Sequence, residues 1–209
     1  MSLTSFLFGT MNIISSSLMT PVLIILGILV LSTLMQLGEF LSEYTKRHRD
    51  WNSLETNCKK IQNDLQNTDF SEASRTLKNI KQNYMVTSFA REAAKYLEGK
   101  QIPAIGKLSQ EYEIKMAKRL EFTKIISTIG PMLGLMATLI PLGPCLLYLT
   151  EGDIQSLAEH LRIAFAATVV GLFAATFGYV FTQIRRRWYW EDMSDIDSIL
   201  DSIEEKMLG

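Results

Sequence analysis

Thr138 and Thr168 are the two residues best placed to do chemistry, because each lies inside a long segment that carries no charge. A hydroxyl both donates and accepts a hydrogen bond, so it serves an ionisable group in either protonation state. For one threonine taken alone, the ordinary reading is a bond back to its own helix. A pair facing a shared lumen would instead make a weakly polar ring for an ionisable group brought by another chain. No Asp, Glu, Lys or Arg occurs in residues 125–150 or 163–184. A proton-driven device needs a titratable group in the membrane, so if this chain moves protons a partner must supply that group. Other chemistry is sparse. Cys58 and Cys145 form neither a disulfide framework nor a metal motif. His48 and His160 have no partner at ligand spacing. There is no glycine-rich phosphate loop and no Ser-His-Asp or Cys-His constellation. No catalytic residue, metal or cofactor is therefore expected, and an enzyme is the weakest reading.

The segments that hold the threonines define the class of the chain. Its 209 residues carry 21 basic and 22 acidic side chains, a net charge of -1. Residues 1–38, 125–150 and 163–184 carry none of them. Charge-free apolar runs of more than about 18 residues read as membrane-spanning helices. An ordinary soluble enzyme and a disordered chain are excluded, and the absence of a basic excess argues against a nucleic-acid partner. The expected fold is all-α: an integral membrane protein with three transmembrane helices and a helical cytoplasmic domain.

Seven segments follow. Residues 1–19 place Leu3, Phe6, Leu7, Met11, Ile14 and Leu18 at helical spacing between Ser, Thr and Asn. That predicts a separate, uncharged amphipathic element, with a frayed terminus as the alternative. Residues 20–40 form the first span, with Pro21 suited to a first helical turn. Residues 41–124 form the cytoplasmic domain and residues 125–150 the second span. Residues 151–160 are an extracytoplasmic loop, in which Ser156 and Glu159 have capping-box spacing. Residues 161–184 are the third span, and 185–209 a short C-terminal helix packed on the cytoplasmic domain. Basic clusters at Lys46-Arg47-His48-Arg49 and Arg185-Arg186-Arg187 mark the cytoplasmic side, so the N-terminus lies outside and the C-terminus inside.

Within 41–124 three apolar stripes are expected: Trp51, Leu54, Cys58, Ile61 and Leu65; then Phe70, Ala73, Leu77, Ile80 and Tyr84; then Phe89, Ala93, Tyr96 and Leu97. Asp69 reads as an N-cap, and Gly99 and Pro103 bracket a break. Beyond it Ile105, Leu108, Tyr112, Met116 and Leu120 run without a breaker into the second span, as one long helix. In the spans, Gly130 and Gly134 form a GxxxG pair, and Ala164, Ala167, Gly171, Ala175 and Gly178 a second stripe of small residues. Small residues let helix backbones approach closely. Read from sequence, the two stripes exceed what three helices of one chain would bury, which predicts a homo-oligomer.

One span, a long polar insert and then a hairpin is a layout that resembles the MotA/TolQ/ExbB proton-channel family. Residues 130–138, Gly-Pro-Met-Leu-Gly-Leu-Met-Ala-Thr, are similar to that family's Pro-x-x-Gly-Leu-x-Gly-Thr signature. Residues 167–172, Ala-Thr-Val-Val-Gly-Leu, are similar to its Ala-Thr-x-x-Gly-Leu signature. The clear resemblance covers residues 125–187. It implies a pentamer in the cell inner membrane around the transmembrane helices of a single-span partner of the ExbD/TolR/MotB type. The partner would carry a membrane Asp, and ion flow would drive rotation. Two departures stand out. Ala137 replaces the second Gly, and Ala166 sits where some branches of the family have Asp. The alternative is therefore a membrane scaffold that oligomerises and conducts nothing.

Overall fold

The computed structural model describes residues 3–47 and 49–204. Among these every regular element is a helix. Three are long: α1 (Leu3–Lys46), α5 (Ile102–Glu151) and α6 (Ile154–Glu204). Three are short and lie between the first two: α2 (Trp51–Gln66), α3 (Phe70–Lys78) and α4 (Tyr84–Glu98). Each long helix contains a stretch long and apolar enough to cross a membrane. The chain divides into an apolar unit, residues 1–40 and 122–182, and a polar unit, residues 41–121 and 183–209.

In the apolar unit Val22, Leu26 and Leu29 of α1 share one buried cluster with Ile126, Leu133 and Ala137 of α5 and Ala167 and Ala174 of α6. Phe40 stacks on Phe181 with ring centroids 4.7 Å apart. The outward side chains are large and apolar, among them Ile24, Ile28, Leu31, Leu139, Val169 and Leu172. A surface of that kind is stable only against lipid or other protein.

The helices run further than the sequence pattern suggested. Residues 1–19 were expected as a separate element, yet α1 is unbroken from Leu3, and Pro21 lies inside it rather than at its first turn. Proline costs α1 one backbone hydrogen bond, and a helix in a membrane tolerates that loss. Neither Ser15-Ser16-Ser17 nor Thr20-Pro21 interrupts the helix. Of the expected amphipathic stripe, Leu7, Met11, Ile14 and Leu18 are exposed. The side chains of Leu3 and Phe6, and His48, lie outside the described residues. The loop expected at 151–160 is reduced to Gly152 and Asp153, because α6 begins at Ile154. Its cap is Asp153, whose carboxylate accepts from the Ser156 N–H at 3.1 Å, and not the Ser156–Glu159 pair. Gly152 has φ +77, the left-handed conformation that a turn this short requires. The C-terminal segment is likewise no separate helix. As far as Glu204 it is the continuation of α6, with Ile196, Ile199 and Ile203 fully buried.

The polar unit has a conventional core. Leu54, Ile61 and Leu65 of α2, Ala73 and Leu77 of α3, and Phe89, Ala93 and Leu97 of α4 are buried with Ile105, Leu108, Tyr112 and Met116 of α5. Asp50 and Asp69 cap α2 and α3 by accepting from the N–H three residues on, each at 3.1 Å. The second expected stripe does not hold as one helix. The α3 helix ends at Lys78, Ile80 is buried in the connection, and Tyr84 opens α4 facing outward, 76% exposed. Only asparagines, Asn79 and Asn83, mark that break. Trp51 and Tyr96 also face outward.

Candidate functional site

The second and third apolar stretches meet along their small residues. A Cβ placed on Gly171 would stand 2.6 Å from the Gly130 carbonyl oxygen, and one on Gly130 would stand 2.7 Å from the Gly171 oxygen. On Gly134 it would lie 3.2 Å from the Thr168 Cα, and on Gly178 2.9 Å from the Ser127 nitrogen. Ala175 packs beside Gly130, and Ala167 is buried in the same cluster as Ala137. The two small-residue stripes therefore pack on each other within one chain. That corrects the argument that they require a second copy: a hairpin with its backbones in contact accommodates both.

This close approach places the threonines. Thr168 Oγ1 lies 3.1 Å from the Gly134 carbonyl across the hairpin and 3.3 Å from Ala164 O in its own helix. Thr138 Oγ1 donates to Leu135 O at 2.8 Å and lies 3.4 Å from the same Gly134 oxygen. A hydroxyl has one proton to give. Thr138 has a better acceptor one residue on, which leaves the Gly134 carbonyl to Thr168. Both side chains are half-buried. The two hydroxyls thus converge on one backbone oxygen, and each keeps lone pairs for a further donor. The remaining hydroxyls of the apolar unit are mostly of the ordinary kind. Ser32, Thr33, Thr128 and Thr176 donate back to their own helices.

A second pair was not singled out from sequence. Thr182 Oγ1 lies 2.8 Å from Thr123 Oγ1, and Thr123 is fully buried. Gln36 of α1 is buried as well. Thr33, Gln36 and Phe40 recur at three- and four-residue spacing on α1, and that was the available signal. No acidic residue closely precedes Thr168 in the chain: Ile163 to Ala167 are all apolar, and Ala166 is exposed.

In the polar unit the charges are arranged with more specificity than a solvated surface would need. Arg47 donates to Asp192 at 2.8 Å, to Glu191 at 3.0 Å and to the Trp188 carbonyl at 3.0 Å. Arg49 holds Asp195 through two bonds of 2.7 and 3.1 Å. Arg185 pairs with Glu43 at 3.1 Å. Asn83 donates to Asp192 at 2.7 Å. Burial raises the Asp192 carboxyl above its ordinary range, against the pull of Arg47 and Asn83. The hydrogen bond to Asp195 holds the Arg49 proton more firmly still. Burial also raises the Cys58 thiol, which leaves little reactive thiolate there.

The model of the MotA/TolQ/ExbB proton channel family matches residues 77–198, more than half of the chain. The chain belongs to that family. No curated protein and no solved structure matches it. The family match takes in α4, α5 and most of α6, and so the whole threonine hairpin. Together with three helices able to cross a membrane, it makes the chain a multi-pass membrane protein of proton-channel type.

Proposed function

We propose that this chain is the ring-forming subunit of a motor driven by an ion gradient, most simply a proton gradient. Five copies enclose the transmembrane helices of a single-span partner of the ExbD/TolR/MotB type, whose membrane Asp carries the proton. The complex sits in the cell inner membrane with the chain's N-terminus outside and its C-terminus in the cytoplasm. The observation that carries this reading is the convergence of Thr138 and Thr168 on the Gly134 carbonyl, inside the segment the family model covers.

That arrangement suits a carboxyl group that changes protonation state. While Thr168 donates to Gly134 O, its lone pairs are available to a protonated carboxyl, which donates its O–H to them. When the carboxyl loses its proton, the Thr168 hydroxyl turns and donates to the carboxylate instead, leaving Gly134 O to its own helix. A hydrogen bond to an ionised group contributes about 1.5–3 kcal/mol. That is enough to bias proton occupancy without trapping the proton as a fixed charge would. Thr138 serves the same group from the neighbouring helix, one turn beyond Gly134.

Thr168→Val keeps the side-chain shape and removes the hydroxyl. The variant should still co-purify with the single-span partner while proton flux through the complex falls to background, and Thr138→Val should fall less far. Full flux through an assembled Thr168→Val complex would refute the role. The second reading, an oligomeric scaffold that conducts nothing, is favoured by one feature, the wholly apolar stretch from Ile163 to Ala167. Zero flux in the unmutated, partner-bound complex would decide for it.

A further inference from the structure

The tip of the α5/α6 hairpin carries a titratable side chain that the threonine site leaves unused. His160 stands in the second turn of α6, half-buried, with its ring centroid 5.1 Å from that of Tyr148 on α5. Its Nδ1 lies 2.8 Å from the Ser156 carbonyl oxygen, one turn back in the same helix. A carbonyl oxygen has no proton to give, so Nδ1 carries the hydrogen of that bond. The tautomer is thereby fixed, and Nε2 is the position at which the ring gains or loses a proton.

His160 and Tyr148 meet across the same seam of the apolar unit as Thr168 and Gly134. His160 precedes Thr168 by eight residues, about 12 Å along one unbroken helix. Buried Ala164 and Ala167 lie between them. Resting on the reading above, in which this hairpin lines a lumen and its tip faces outward, we infer that His160 collects protons from the outer solution and passes them toward the site at Thr168.

The neighbouring groups leave that task to the imidazole. The charged residues around the tip are Glu151, Asp153, Glu159 and Arg162, all exposed. Asp153 is engaged as the cap of α6, and its bonds from Ser156 hold its carboxyl below the usual range. The α1 helix brings no ionisable side chain before Glu39. Near neutral pH an imidazole exchanges its proton readily, whereas a carboxyl, a phenol or a guanidinium in water keeps one protonation state. The step balances as a relay. Hydronium or a buffer acid outside gives a proton to Nε2, and the imidazolium gives that proton to water on the lumen side. Nδ1–H and its bond to Ser156 persist throughout. Ala164 and Ala167 have no group that holds a proton, so water covers the remaining distance to the partner's carboxyl.

The test measures inward proton flux through the partner-bound complex in right-side-out membrane vesicles, with the inner pH fixed and the outer pH varied from 6 to 8. Glutamine keeps a donor for the Ser156 carbonyl and has no exchangeable proton in this range. His160→Gln should lower flux by about tenfold or more at outer pH 8 and much less at pH 6, where hydronium is abundant. Imidazole added outside should restore the flux at pH 8, and it should not restore Thr168→Val. Tyr148→Phe keeps the ring contact and should conduct normally. Full flux through His160→Gln at pH 8 overturns the inference. So does a loss that is equal at every pH and that imidazole does not relieve, because the ring would then only pack the tip. If the glutamine variant fails to assemble, His160→Asn is read in the same way, and failure of both also overturns it. Zero flux in the unmutated complex refutes the reading of the chain as a conducting subunit, whereas normal flux in both the unmutated and the His160→Gln complexes removes only the role of His160.

Discussion

Asp192 and Asp195 are the most enclosed carboxylates of the polar unit, 2% and 0% exposed, and each is held by one arginine. Enclosure of a charge is costly even when it is paired, because neither ion recovers all its lost hydration. Asp192 shows the balance: burial outweighs Arg47 and Asn83, and its folded carboxyl titrates above the ordinary value of about 3.9. A raised pKa means that the folded state binds this proton more readily than the unfolded one. The resulting stabilisation is complete below the unfolded value and is lost as pH rises through the folded one. Thermal melting from pH 4 to pH 7 should therefore show a decline that Asp192→Asn reduces, whatever offset the substitution adds at every pH. A profile unchanged in slope would mean that Arg47 cancels the burial cost. Arg47 has two other acceptors, Glu191 and the Trp188 carbonyl, so the asparagine variant does not leave it without a partner.

At the scale of the elements, the α5/α6 hairpin tolerates substitution very unevenly. A Cβ on Gly171 meets a carbonyl oxygen at 2.6 Å, and backbone has no rotamer by which to move away. Gly143, on the same helix pair, has nothing within 4 Å of its added Cβ. Gly171→Ala should unfold or separate the hairpin. Gly143→Ala should be neutral or stabilise by about 1 kcal/mol, since alanine holds a helix better than glycine. Thermal stability of the purified chain in detergent distinguishes the two, and equal behaviour would contradict the close approach. The sequence showed both glycine stripes and both threonines, because small-residue spacing and hydroxyls in charge-free segments are local patterns. It did not show that the stripes face each other, which depends on how two distant segments pair. Helix ends were least legible. Pro21, the Ser156–Glu159 spacing and the run of apolar residues from Phe70 to Tyr84 all suggested boundaries by local rules. None of the three stood: α1 runs through Pro21, Asp153 caps α6, and α3 ends at Lys78, while Asp69 and the Gly99–Pro103 break stand where those rules put them. The pairing of Arg47 with Asp192 spans 145 positions in the chain, and no periodicity encodes it.

For the molecule as a whole, the proposed orientation puts the polar unit in the cytoplasm, and a thiol reagent that cannot cross membranes tests it. Cys58 is a poor reporter, half-buried and with its thiolate suppressed. Tyr84 is 76% exposed. Tyr84→Cys, with Cys58 replaced by serine, should react only after cells are permeabilised, and labelling of intact cells would invert the topology. The turn at Gly152 and Asp153 also has a consequence for biogenesis. Two residues cannot bridge the interval between the release of one helix sideways from an insertion channel and the arrival of the next. If α5 entered lipid first, the backbone surfaces around Gly130 and Gly134 would lack the partner that covers them. In the proposed orientation the two helices are therefore expected to leave the insertion machinery as a preformed pair, their glycines already in contact and the Asp153 cap at the leading tip.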